Sequence, residues 1–201
     1  MLSVSTYPNS PSRAPGLAAM ATSLPQMEPH YLSESNAAIN SQIQLQLYAA
    51  YIYLSMAFFC NQDEVGLVHF ALFFLCQSQK WMERTEKLFH LLTERHGSLA
   101  LGRIANQDGY NWFDGFMAMD FAFHLEKMLN QSLLHLYDLA KSKGDVYLSN
   151  FVKHHFLQQQ VEILKEIGGY LTNLIQLGAP QSSLAEYIFD KLTLAETTKE
   201  N

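Results

Sequence analysis

The amino-acid sequence predicts an all-α fold: a four-helix bundle with one long crossover and a short fifth helix at its C-terminal end. Three observations predict it. Four long stretches repeat apolar residues at spacings of three and four. Two of the connections between them are short and one is long, and no stretch alternates apolar and polar residues as a half-buried strand would.

The first pattern runs from Ser35, whose side chain suits a helix N-cap, to about Cys60, with Ile39, Ile43, Gln46, Ala50, Tyr53 and Ala57 on its inward seam. The second runs from about Leu67 to Arg95, with Phe74, Ser78, Trp81, Thr85, Leu88 and Leu92 in register. Leu72, Leu75, Leu88 and Leu92 mark its apolar side. The stretch HGSLALGRIANQDGYNW then breaks periodicity and reads as the long crossover. A third pattern begins near Asp114 and aligns Met119, Ala122, Glu126, Leu129, Leu133 and Leu136; Lys143-Gly144-Asp145 punctuates it. The fourth runs from about Val146 to Leu177 through Phe156, Gln160, Ile163, Ile167 and Leu174, and Gly178-Ala179-Pro180 stops it. The short segment SSLAEYIFDKL follows, capped by Ser182 or Ser183. The chain therefore divides into a Pro/Ser/Ala-rich N-terminal extension (1–32), a helical domain (33–195) and a C-terminal tail (196–201).

Composition narrows the function. Hydrophobic residues form 48% of the 201-residue chain and charged ones 16%, which suits a folded core. A formal charge of −6 with no basic cluster argues against a nucleic-acid partner. No apolar run reads as a membrane span, and Cys60 and Cys76 form neither a CxxC nor a paired framework. The first 27 residues hold four of the six prolines, no acidic residue and only Arg13 as a base. That composition reads as a disordered tail rather than a transit peptide, and Met20 offers an alternative start.

One polar group per long helix interrupts the apolar seams: Gln46, then Trp81 with Arg84, then Glu126, then Gln160. This is the pattern of a site inside a bundle, although it also suits a core in which each glutamine bonds a neighbour and Glu126 pairs with Arg84. Glu-x-x-His occurs nowhere in the chain. Glu86/His90 and Asp120/His124 lie at i, i+4 and read as exposed faces, and the adjacent His154 and His155 point different ways. No glycine-rich phosphate loop, HExxH or GxSxG is present.

The stretches AAINSQIQLQLYAAYIYLSM, HLEKMLNQSLL and GAPQSSLAEYIFDKLTL resemble the ferritins, specifically the animal heavy-chain type, from about residue 28 to the end. The resemblance implies a ferritin-like four-helix bundle that assembles with itself and other ferritin subunits into a 24-subunit shell. That shell stores iron in the cytoplasm, with no nucleic acid and no membrane as partner. The heavy-chain pattern also carries an oxidase centre inside each bundle. Set against that pattern, Gln46 replaces a glutamate, Trp81 the bridging glutamate, and Arg84 the histidine one turn later; Tyr53, Glu126 and Gln160 are kept.

The family's centre brings three carboxylates to two iron ions, and this chain offers one beside a permanent guanidinium. Arg84 is therefore expected to replace the metal as the partner of Glu126, with Trp81 filling the emptied volume, and ferroxidase activity is not expected. Glu126, Gln160, Glu83 and Glu86 remain as candidate iron contacts, with Lys80 in place of another inner-surface glutamate. By the same resemblance Tyr137, Asn150 and Lys153 line the threefold pore, which gains ammonium groups where the family has carboxylates, and Leu192 lines the fourfold pore. Two other readings stand beside the storage subunit. One is an iron oxidase with displaced ligands Tyr53, Glu83, Glu126 and Gln160; the other is a structural or interaction protein that no longer handles iron.

Overall fold

The computed structural model describes residues 29–102 and 111–196, the first four of them as backbone only. Helix α1 (Pro29–Cys60) packs most extensively on α2 (Val68–Glu94), and α3 (Gly115–Ser142) packs on the fourth long helix. That fourth helix has three parts: α4 (Val146–Val152), a π-helical turn (Lys153–Leu157) and α5 (Gln158–Leu177). A short α6 (Ser183–Phe189) runs into a second π-helical turn (Asp190–Leu194) and meets both α2 and α5. No strand occurs among the described residues, so the all-α bundle stands.

Every seam residue predicted to face inward is buried on all four helices. Two details differ from expectation. Leu72 and Leu75 are exposed, because they lie beside the Phe74–Ser78–Trp81 line and not on it. The fourth helix is not regular. Leu148, Val152, Phe156 and Gln160 are all fully buried at three successive spacings of four. At 3.6 residues per turn each such step drifts about 40°, and the wider π turn absorbs the drift and keeps the four on one face.

The first helix also departs from expectation. It begins at Pro29, so Ser35 lies within it and is fully buried, not an N-cap. Proline suits a first helical turn, where its missing N–H has no intrahelical acceptor to lose. The stretch Ser33–Cys60 is long and apolar enough to cross a membrane by length and composition, contrary to the reading of the sequence alone. Here it packs as a bundle helix, half of it buried, with Gln42 and Gln46 in the core. Most of the proposed N-terminal extension, including Met20, lies outside the described residues, as do 103–110 and 197–201.

The helix ends are set by specific partners. Asp114 caps α3 by accepting from Met117 N at 2.6 Å, and Asp145 caps α4 by accepting from Leu148 N at 3.0 Å while pairing with Arg95. Gly144 (φ 72°) and Gly178 (φ 105°) take the left-handed conformation that ends α3 and α5. In the crossover, Asn40 holds the backbone of Ser98 and Ala100, and Trp112 packs edge-on against Phe121 and donates to Ser55 Oγ.

The C-terminal segment supplies two caps from a distance. Asp190 Oδ1 accepts from His69 N (2.8 Å) and Phe70 N (2.9 Å) at the start of α2, whose own N-cap, Leu67, has no side-chain hydrogen bond. Glu186 accepts from Gly115 N (3.0 Å) and Phe116 N (3.1 Å) at the start of α3. Both carboxylates sit at helix N-termini, where the exposed N–H groups favour negative charge. Their titrations run in opposite directions. Burial pushes Asp190 up, but the Phe70 N–H, Lys191 and His69 outweigh it and hold the group below its ordinary value. For Glu186 burial wins over the Phe116 and Gly115 N–H groups, with Asp114 adding to the rise.

A lowered native value means that Asp190 stabilises the fold above the ordinary carboxylate range and loses that contribution as pH falls through its native value. Asp190→Asn should cost about 1–2 kcal/mol at pH 7 in urea unfolding, with the difference from wild type closing below about pH 4. A cost that stays constant with pH would overturn this assignment.

A candidate metal centre around one buried carboxylate

The polar seam residues converge midway along the bundle because each interrupts an inward face: Tyr53 on α1, Trp81 and Arg84 on α2, Glu126 on α3 and Gln160 on α5. Glu126 is fully buried and is the hub. One carboxylate oxygen, Oε1, accepts from the Tyr53 hydroxyl at 2.7 Å and from Trp81 Nε1–H at 2.9 Å. The other, Oε2, accepts a short bond from Gln160 Nε2, which also lies 3.2 Å from the Glu126 carbonyl.

Arg84 does not pair with Glu126, as the sequence suggested it would. Its Nη1 donates a long bond of 3.4 Å to Gln160 Oε1, and its guanidinium lies 4.5 Å from the centre of the Trp81 ring. The reason is that Trp81 does more than fill volume. Its indole N–H takes the carboxylate face where a guanidinium would dock, and Gln160 stands between Arg84 and Glu126 as a bridge.

Gln46 is the second departure. It is fully buried, and its Oε1 lies 3.3 Å from the Thr85 hydroxyl, but it does not bond Glu126. That hydroxyl has one proton and a shorter contact, 2.7 Å, to the Trp81 carbonyl. The Gln46 amide nitrogen has no partner among the described residues, and neither does that of Gln42, whose Oε1 accepts from Ser132 Oγ. Buried amides of this kind are ordinarily satisfied by ordered water. Thr85 and Gln42, neither of them flagged by chemistry, complete this polar core.

Electrostatics follow from burial. Desolvation pushes Glu126 above the ordinary carboxylate range, against the lowering effect of its bonds to Tyr53, Trp81 and Gln160 and the charge of Arg84. Tyr53 is pushed well above its ordinary value, first by burial and then by the neighbouring Glu126. Arg84 is lowered by burial, opposed by Glu126 and Tyr53.

The remaining predicted residues lie elsewhere. Glu83 and Glu86 are exposed on α2, as is Lys80, so none of them reaches the centre. Tyr137 is half-buried on α3 with Lys141 Nζ 5.4 Å from its ring centre, Asn150 is exposed on α4, Lys153 is exposed in the π-helical turn, and Leu192 is exposed near the C-terminal end. His90, Glu86 and His124 are exposed and Asp120 is half-buried, its 3.6 Å contact with His124 lying at the surface; His154 and His155 are exposed too. Among the described residues no group of three or more His, Cys, Asp or Glu side chains is placed to hold a metal ion.

An all-α single-crossover bundle with a buried glutamate at mid-depth is the architecture of the carboxylate-bearing helical bundles, with ferritin a standard example. A family model for the ferritin-like domain matches residues 36–177. The chain belongs to the ferritin family, an iron-storage family.

Removing the hub tests its structural weight. Glu126→Ala leaves the Tyr53 hydroxyl, the Trp81 N–H and the Gln160 amide without their acceptor. The expected cost is about 3–5 kcal/mol, the order expected when several buried donors lose their acceptor, read by urea unfolding at pH 7. A cost under about 1 kcal/mol would mean that the network contributes little.

Proposed function

We propose that this chain is a heavy-chain-like ferritin subunit that contributes to iron binding and storage in a shell without oxidising ferrous iron itself. One observation carries the reading: both oxygens of the single carboxylate at the centre are already engaged. Glu126 accepts three side-chain hydrogen bonds, and the next group outward is a guanidinium. Two hard cations need several anionic oxygens free to ligate them, and here the neighbours at hydrogen-bond distance are a phenol, an indole and an amide. An iron ion would have to displace Trp81 from Glu126 and come to rest beside Arg84, which cannot lose its proton to make room.

The displaced-ligand oxidase is less well supported, because Glu83 lies on the exposed side of α2. In the proposed role the chain contributes shell surface, with Glu83 and Glu86 as its iron contacts. Its oxidised iron comes from active subunits in the same cytoplasmic shell. Around the threefold pore of such a shell Lys153, Asn150 and Tyr137 would discourage cation entry, so mixed shells would load through pores formed largely by other subunits.

Aerobic ferrous oxidation by purified, size-fractionated protein tests this. The expected outcome is no oxidation above the uncatalysed rate by the chain alone and normal mineral loading when it is co-assembled with an active heavy chain. Rapid oxidation by the chain alone would sink the proposal, and mixed shells that assemble but stay empty would favour the interaction-protein reading. In homomeric shells, Lys153→Glu should speed iron uptake severalfold at low ionic strength, and an unchanged rate would remove Lys153 from the pore.

A further inference from the structure

Beside the centre, a cleft of about 310 Å³ opens between α2 and α5. Arg84 is its least exposed charged residue, at 9%. A guanidinium has five N–H groups, and among the described residues Arg84 finds one acceptor, the distant oxygen of Gln160. Trp81 covers one face of the guanidinium, so the cleft is where further acceptors can reach its edge. Gln77, 3% exposed and on the same wall, has no hydrogen-bond partner among the described residues. Lys80 and Lys87 flank Arg84 on α2, four residues before it and three after, and line the same cleft without an ion pair among the described residues.

The N–H groups that Gln160 leaves free open onto the cleft, where a planar guanidinium can take a tetrahedral oxyanion edge-on. We infer that this cleft binds a small oxyanion of the phosphate class, with Arg84 as its inner anchor, Lys80 and Lys87 as flanking charges and Gln77 as a neutral donor. Three carboxylates also face the cleft and oppose the anion. Glu166 accepts from the Tyr170 hydroxyl at 2.9 Å, while Glu83 and Glu162 are exposed. Charges in water are screened over about 8 Å at physiological ionic strength, whereas Arg84 acts from a less polar position. The acids therefore weaken the site without cancelling it, and they give its test a sign.

Inorganic phosphate is the probe, followed by ³¹P line broadening on the full chain at pH 7 without iron. Saturable binding with Kd on the order of 1 mM is expected. Arg84→Gln should weaken it at least about tenfold. Lys80→Gln with Lys87→Gln, on the cleft rim, should weaken it several-fold, and Glu83→Gln with Glu162→Gln should tighten it. The last two pairs keep the test decisive even where Arg84→Gln fails to fold, since a purely structural Arg84 would leave both unchanged. Absence of saturation below about 20 mM, or indifference to both rim pairs, overturns the site. Iron loading plays no part in these readouts, so this inference and the storage role can fail separately.

Discussion

A carboxylate buried at the middle of a helical bundle has to be satisfied, and in this protein that requirement ties all four long helices together. Glu126 on α3 receives one donor each from α1, α2 and α5: Tyr53, Trp81 and Gln160. Apolar packing alone tolerates small slides of one helix along another. Three hydrogen bonds to two oxygens do not, because a shift of a few ångströms strands a polar group in a low-dielectric interior at a cost comparable to the benefit of several methylenes. The polar hub thus sets register, while the surrounding apolar seams supply most of the driving force.

The same hub defines what the interior can do chemically. The groups around the buried carboxylate are aromatic, amide and cationic, and its two oxygens are turned to those neighbours. Trp81 is decisive because it acts in two ways at once, bonding Glu126 through its indole nitrogen and carrying Arg84 on its ring. Arg84 in turn looks both ways, toward Gln160 inside and toward the cleft outside. Arg84 is therefore a permanently charged group at the boundary between core and surface.

The ends of the bundle are governed by a different constraint, the unpaired N–H groups at helix starts. Asp190 and Glu186, four residues apart on consecutive turns near the C-terminus, reach two separate helices, α2 and α3. This fixes the short last helix against the bundle and leaves Leu184, Tyr187 and Leu192 on its outer side.

The periodic apolar seams were legible in the sequence, and so were the fold class, the long crossover and the mid-bundle position of Tyr53, Trp81, Arg84, Glu126 and Gln160. Spacing of three and four encodes which face of a helix turns inward, and that face is local information. Leu72 and Leu75 show the limit, since an apolar residue just off the seam is indistinguishable in composition from one on it. What the sequence left open was who pairs with whom. Charge alone suggested Arg84 with Glu126, but pairing depends on reach and on competing donors, and only the packed bundle puts the Trp81 indole and the Gln160 amide onto the carboxylate first. The distant caps from Asp190 and Glu186, and the π turn that holds Leu148 through Gln160 on one face, belong to the same class. Each is a contact or a strain between elements that are separate in the chain or regular in isolation, so tertiary structure alone decides it.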